Sequence, residues 1–354
     1  MNIIDRYITR SILAATAVVA LVVGALVALS VFIGEADNIG DGSFDLLKVI
    51  LYMLLKLPSN LYLVLPVVAL LGSLLALGAL AAGSELVVVR ASGVSMRRLA
   101  LSVSIAGVLL ALVAVGMGEY LGPAGARSAD ALRDQARHGR VADSIDDGLW
   151  LRQGDTIVRI GGTLPGARVN DIDVFRMSGN GRLEQTVSAE TGVLRDQGLA
   201  LQKPKFTRIH DASTETGSPN QLILDVDIDP GVLELAVTEP SELSTPGLWR
   251  YIAYLDRNDI NAADYRLALW RNIINPITVL VLVVFALPFA FGSLRSASAG
   301  QRLFMGGLLG LVFFLVNEIV AATGPVYGVP PWLAASLPTA LLATATLVWM
   351  RRLN

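Results

Sequence analysis

Six runs of almost unbroken apolar residues divide the chain: Ser11–Ile33, Ser59–Ala82, Leu99–Tyr120, Ile273–Phe291, Leu303–Ala322 and Trp332–Met350. A helix rises ~1.5 Å per residue and the hydrocarbon layer is ~30 Å thick, so about 20 such residues cross it. Each run predicts one spanning helix. The first is 23 residues long, beyond the ~7–15 of a signal-peptide core, and predicts a retained helix. Phe44–Leu57 is apolar with Asp45, Lys48 and Lys56 spaced along it. It reads as an interfacial segment leading into the second span, with Pro58 and Pro66 bending the approach.

Between the third and fourth runs the helical period gives way to short alternating stretches, from about Arg140 to Glu242. Gly148–Arg152, Thr156–Ile160, Asp171–Met177, Leu199–Gln202, Phe206–His210 and Leu222–Ile228 read as strands, and Ser178–Gly181 as a turn. The spacing predicts about eight strands in a β-sandwich or β-jelly-roll. Pro123–Arg137 and Leu248–Asp256 read as helical connectors on either side. The predicted fold class is therefore membrane α-helical, with six transmembrane helices and a β-jelly-roll inserted between helices 3 and 4. Residues 1–122 would hold helices 1–3 with a short loop helix at 84–96, residues 123–260 the β-domain and its connectors, and residues 261–354 helices 4–6.

Composition agrees with this division. Of 354 residues, 53% are hydrophobic and 16% charged, and the mean hydropathy is +0.58. Residues 121–272 carry 39 of the 58 charged side chains, the density of a water-soluble insert. The chain has no cysteine, which excludes disulfides, thiolate catalysis and cysteine-ligated metals. A net charge of −2 argues against nucleic acid as a partner.

Orientation follows from the basic residues near span ends. One side holds Arg6, Arg10, Arg90, Arg97, Arg98, Arg295, Arg302, Arg351 and Arg352; the other holds Lys48 and Lys56, and Gly324–Pro331 has no basic residue. The arginine-rich side is predicted to be cytoplasmic, with both termini inside and the insert outside. Trp270, Trp332 and Trp349 fall near span ends, where indoles prefer to sit.

Several chemistries are absent. None of the four lysines, Lys48, Lys56, Lys203 and Lys205, follows a glycine, so there is no Walker A loop and no ATP site of this chain's own. His138 and His210 are the only histidines, and a dedicated metal site is not expected. Spans one, two and four contain no acid; Glu119 and Glu318 are thin support for proton coupling.

The loop Gly83–Ser95 predicts a short helix. Ser84 is expected to cap it, Glu85 to sit in its first turn where a negative charge suits the dipole, and Ser92–Gly93 to end it. Carrying one acid and exposed valines, it reads either as a docking element or as an interfacial turn.

The string Ser84–Ser95 resembles the first coupling helix of the LptF/LptG (YjgP/YjgQ) family, the permeases of lipopolysaccharide export. Ile4–Ile8, Tyr265–Arg271 running on through Pro276 to Ala286–Gly292, Leu294–Ser296 with Gly300–Arg302, and Val326–Pro331 follow the same family pattern in the same order. Gly148–Leu151, the run Gly328–Pro331 and the loop Arg90–Gly93 resemble the LptG branch more than the LptF branch. The resemblance implies a non-catalytic permease subunit of an ATP-driven ABC transporter in the bacterial inner membrane, with a periplasmic β-domain. Its partners would be an LptF-like permease in a heterodimer, an LptB-like ATPase dimer, and the periplasmic jelly-roll proteins LptC and LptA. The cargo would be lipopolysaccharide, passed along a bridge toward the outer membrane. No cofactor would bind this chain; ATP and Mg would belong to the ATPase.

The resemblance also places residues. Glu85 matches the coupling acid, with Arg90, Ser92 and Gly93 beside it. Arg133 matches a basic position suited to the phosphates of lipid A, with Arg127 and Arg137 as neighbours. Gly306 and Gly310 form a GxxxG face on the fifth span, expected to permit close packing at a lateral gate between spans one and five. One departure stands out. Family members can carry lysines just outside span one, where this chain has Glu35, Asp37 and Asp41; acids there repel phosphate unless divalent cations bridge them. The reading from a different class is a membrane-anchored β-domain that acts as a protein-binding scaffold or receptor, with no lipid cavity.

Overall fold

The structure, a computed structural model, describes residues 3–138, 143–164, 168–179, 181–195, 198–210, 213–224, 235, 238–258, 260–291, 298–324 and 327–352. Six of its helices are long and apolar enough to cross a membrane. They are α1 (Ile3–Glu35), α2 (Leu46–Ala82), α4 (Met96–Gly116), α7 (Ala263–Phe291), α8 (Ala299–Thr323) and α9 (Pro331–Arg352), and each contains one of the apolar runs or nearly all of it. The short helix α3 (Glu85–Ala91) lies in the loop between α2 and α4. A π-helical turn, Met117–Leu121, joins α4 to α5 (Gly122–His138), and α6 is Thr245–Arg257. The two expected connectors are thus helical.

Local chemistry sets several helix starts. Ser95 accepts from the Arg98 amide to cap α4, and Ser244 accepts from the Gly247 amide to cap α6. Ser298 and Gln301 form a reciprocal capping box at α8. The segment expected as an interfacial lead-in is not separate: α2 is one helix of 37 residues with Pro58 and Pro66 inside it.

By internal contacts the chain forms two compact units: residues 1–34, 53–126 and 263–354 in one, residues 35–52 and 127–262 in the other. The core of the helical unit is built mainly by α2, α4 and α7. Leu70, Leu74, Leu77, Leu99, Val103, Val279, Leu282 and Val283 are all buried there. Trp349 of α9, expected at an interface, packs edge-on against Phe289 at 4.8 Å and Phe285 at 6.4 Å. The hydroxyls of Thr278 and Thr339, 2.7 Å apart, tie α7 to α9.

Among its described residues the second unit holds an antiparallel sheet of eight strands: β1 (Asp143–Gln153), β2 (Thr156–Leu164), β3 (Arg168–Met177), β4 (Leu183–Arg195), β5 (Gly198–Gln202), β6 (Lys205–Ile209), β7 (Thr214–Gly217) and β8 (Gln221–Leu224). The path runs β1-β2-β3-β4-β5-β8, with β6 bonded to β4 and β7 to β6. The sheet forks at β4, whose residues Gln185–Ser188 pair with β6 and Thr191–Arg195 with β5. Val158, Ile160, Ile172, Val174, Val187 and Ala189 form one buried face. On the opposite face Trp150 stacks on Phe175, ring centroids 6.0 Å apart, and Arg159 bridges Asp173 and Asp171. The hydrogen bond to Asp173, foremost, raises the Arg159 pKa above its ordinary value. Asp171 has φ 51°, and its carboxylate fills the place where a Cβ on Gly161 would stand; a glycine is required there.

Two strands were not legible in the sequence. β4 carries Glu184, Gln185, Ser188, Glu190 and Thr191 among few apolar residues, so its alternation is short; β7 has no large apolar side chain. The strand expected at Leu222–Ile228 is present to Leu224, and 225–228 lie outside the described residues.

Candidate functional site

The loop helix α3 is framed by two left-handed residues, Ser84 with φ 62° before it and Gly93 with φ 92° after it. The expected cap is corrected: Ser84 makes no side-chain cap hydrogen bond. A capping hydroxyl needs an extended backbone to face the first free amides, and a left-handed residue turns it elsewhere. The Ser84 carbonyl instead accepts from the amides of Val87 and Val88. Leu86, 1% exposed, holds the helix to the core. Glu85, Val88 and Arg90 are exposed. The Glu85 carboxylate lies near the Tyr7 hydroxyl. The Arg90 guanidinium lies 5.4 Å over the Phe291 ring, and the Ser92 hydroxyl donates to the Val89 carbonyl at 2.8 Å. The helix thus offers one acid and one valine outward, on a base fixed at Leu86 and turned sharply at both ends.

Sequence reasoning missed a polar anchor beside this loop. Asp5, 3% exposed, accepts from Arg98 Nη2 at 2.8 Å and from the Ser102 hydroxyl at 2.5 Å. The signal in the sequence was a lone acid at the start of a span, among Arg6 and Arg10. Arg302, read as a topology charge, is buried at 5% exposure with its side chain against Gly78 of α2.

Arg133 does not stand open to an anion. Its Nη1 is 3.3 Å from Glu35 and donates to the Tyr52 hydroxyl at 3.3 Å; its Nη2 is 3.6 Å from Asp130. The guanidinium lies 5.4 Å over the Tyr52 ring. Glu35 is the last residue of α1, where the helix dipole disfavours an acid; Arg133 and the Asn38 amide, which donates at 2.8 Å, offset that. Glu35, one of the acids just outside the first span, is therefore the acid that holds Arg133. Arg127 is exposed and has a partner of its own. Arg137 lies in α5, with its side chain outside the described residues; the Arg295 and His138 side chains are likewise outside them.

Gly306 and Gly310 are buried and face α2. A Cβ on Gly306 would stand 2.7 Å from Leu74 Cδ1, and one on Gly310 2.5 Å from Val67 Cγ1. The GxxxG face thus closes the fifth span onto the second. Glu318, further along α8, forms an ion pair with Arg271 of α7 at 2.9 Å. Among the described residues no group of acids and histidines could hold a metal ion.

Six apolar helices, a β-domain inserted after the third and an exposed helix in the loop between spans two and three define a polytopic membrane protein. The chain belongs to the lipopolysaccharide export system permease LptF/LptG family, whose model matches residues 6–352. It is 32% identical over 349 residues to the lipopolysaccharide export system permease protein LptG of Escherichia coli (strain K12), covering 96% of this chain and 95% of that one. It is 29% identical over 351 residues to the LptG of Haemophilus influenzae (strain ATCC 51907 / DSM 11121 / KW20 / Rd), covering 99% and 98%. As a member of this family the chain is a multi-pass inner-membrane permease.

Proposed function

We propose that this chain is the LptG-type permease of an ATP-driven exporter that extracts lipopolysaccharide from the inner membrane and hands it to a periplasmic bridge toward the outer membrane. The observation that carries this reading is full-length kinship with LptG chains. The articulated helix α3 supports a docking role in the same reading. Both termini lie in the cytoplasm and the β-domain in the periplasm. An LptF-like chain completes the permease, an LptB-like ATPase dimer binds ATP and Mg below it, and LptC and LptA receive the lipid. Glu85, with Arg90, Ser92 and Gly93, meets the ATPase. An exposed ion pair contributes only ~0–1 kcal/mol, so Glu85 sets the register of the contact more than its strength. Closure of the ATPase narrows the cavity between the permeases and drives the acyl chains toward the β-domain.

In this reading Arg133, with Arg127 and Arg137, meets the lipid A phosphates, and Arg133 exchanges Glu35 for phosphate when lipid arrives. Gly306 and Gly310 hold the fifth span near the gate. Purification from membranes in mild detergent, with mass spectrometry of protein and lipid together, tests the whole. An LptF-like chain, a soluble ATPase and lipid A are expected. This chain alone, or with a periplasmic protein and no ATPase, would replace the reading with the anchored scaffold.

A further inference from the structure

α1 is held along one part of its length. Asp5, Ile8, Thr9, Ile12, Thr16 and Val19 are buried, at the helical spacing of a single stripe. Beyond Val19 the large side chains Leu21, Val22, Leu26, Leu29 and Ile33 are exposed. Apart from its last residue, Glu35, the helix is seated by its N-terminal half, and the only charged group in that stripe is Asp5. Both carboxylate oxygens are used, Oδ2 by Arg98 and Oδ1 by Ser102. Arg98 and Ser102 are one turn apart on α4, and the Ser102 hydroxyl oxygen lies 3.2 Å from the Arg98 carbonyl. Only Ser92–Ser95 separates α3 from α4, and Gly93 turns the chain there.

We propose that Asp5 is a positioning residue for transport: through Arg98 and Ser102 it fixes the seated end of α1 to the segment that leaves α3. A push on α3 from the ATPase then reaches the first span directly, without travelling through the apolar core. This rests on the exporter reading, in which α3 is the docking helix. A charge-assisted pair with both oxygens occupied is short and directional, so it transmits displacement where sliding apolar contacts would not.

The test uses the whole complex in lipopolysaccharide-loaded proteoliposomes and reads lipid released per ATP hydrolysed, a ratio that does not depend on how much protein folds. The wild-type complex, Asp5→Asn, Arg98→Gln and Ser102→Ala are compared. Asp5→Asn and Arg98→Gln should lower the ratio about fivefold or more, with ATP hydrolysis continuing, and Ser102→Ala should lower it less. Because the chain has no cysteine, Asp5→Cys with Arg98→Cys bridged by a short bis-maleimide should regain the ratio relative to the unbridged pair. Should Asp5→Asn fail to assemble, Arg98→Gln decides, since that side chain is 42% exposed. A wild-type ratio in the assembled variants overturns the proposal. So does hydrolysis that falls in step with release, or a bridged pair no better than the unbridged one. A wild-type complex that hydrolyses ATP and releases no lipid rejects the exporter reading, and this inference falls with it.

Discussion

Glu35 and Arg133, 98 residues apart in sequence, meet in a 3.3 Å ion pair within one compact unit. Glu35 is the more buried partner, its side chain 11% exposed against 32% for Arg133. The two single truncations are therefore unequal. Arg133→Ala strands a largely buried carboxylate and should cost about 1–3 kcal/mol, whereas Glu35→Gln leaves an exposable guanidinium and should cost less. Thermal melting of both single variants and of Glu35→Gln with Arg133→Ala separates the pair from its parts. A double variant as unstable as the two singles summed would show the pair contributes nothing.

The same pair predicts a gain of binding. With Glu35→Gln the guanidinium loses its 3.3 Å ion pair, so crosslinking of lipid A beside residue 133 should rise; with Arg133→Gln it should fall. A photoreactive amino acid at position 130 or 137 reports it. Equal labelling in all three proteins would detach Arg133 from the lipid.

Glu85→Ala should abolish most transport while the complex still assembles and the ATPase alone hydrolyses ATP as before. Growth of cells depending on this chain, and pull-down of the ATPase, check the two halves. Normal growth removes the coupling role of Glu85.

Three glycines of α8 form an internal control. A Cβ on Gly307 would have no atom within 4 Å, whereas one on Gly306 or Gly310 would meet Leu74 or Val67 at 2.7 or 2.5 Å. Gly310→Leu and Gly306→Leu should each destabilise the helical unit by about 1–3 kcal/mol, and Gly307→Leu should be close to neutral. Similar melting temperatures for all three would refute the close approach of the fifth span to the second.

At the start of α3 the left-handed Ser84 predicts an inversion of the usual capping result. Ser84→Ala should cost little, because no cap is lost, and Ser84→Gly should stabilise by up to ~1 kcal/mol, because a left-handed backbone suits glycine. Gly93→Ala should destabilise by about as much. A strong loss in Ser84→Ala would restore the capping reading.

The spans were legible because their signal is one-dimensional: about 20 apolar residues in a row mean the same thing in any context. The strands were legible where both faces announced themselves, as in Ile172 and Val174 against Asp173. In β4 the small and polar residues of Thr186–Thr191 hide the alternation, and only pairing with three other strands reveals it. The candidate site divides in the same way. Glu85 and Gly93 sit in a short contiguous loop and could be placed from local rules. Asp5 with Arg98, and Glu35 with Arg133, are meetings of residues far apart in sequence, which no window of the sequence contains. Both involve an acid at the end of the first span, where counting basic residues for topology passes over acids.

The β-unit takes in residues 35–52 as well as 127–262, and that changes what a soluble fragment of this protein can be. A piece cut at the third and fourth spans would lack Ser43, whose amide and hydroxyl both donate to the Ala136 carbonyl. It would lack Phe44, fully buried and edge-on to Tyr52, and it would leave Arg133 without Glu35. Grafting the segment of residues 35–52 back by a linker is the way to a faithful excised domain. In the living chain, the same arrangement makes this unit wait: its first strip is synthesised before the third span, and it finds its seat only after the later segment has been made.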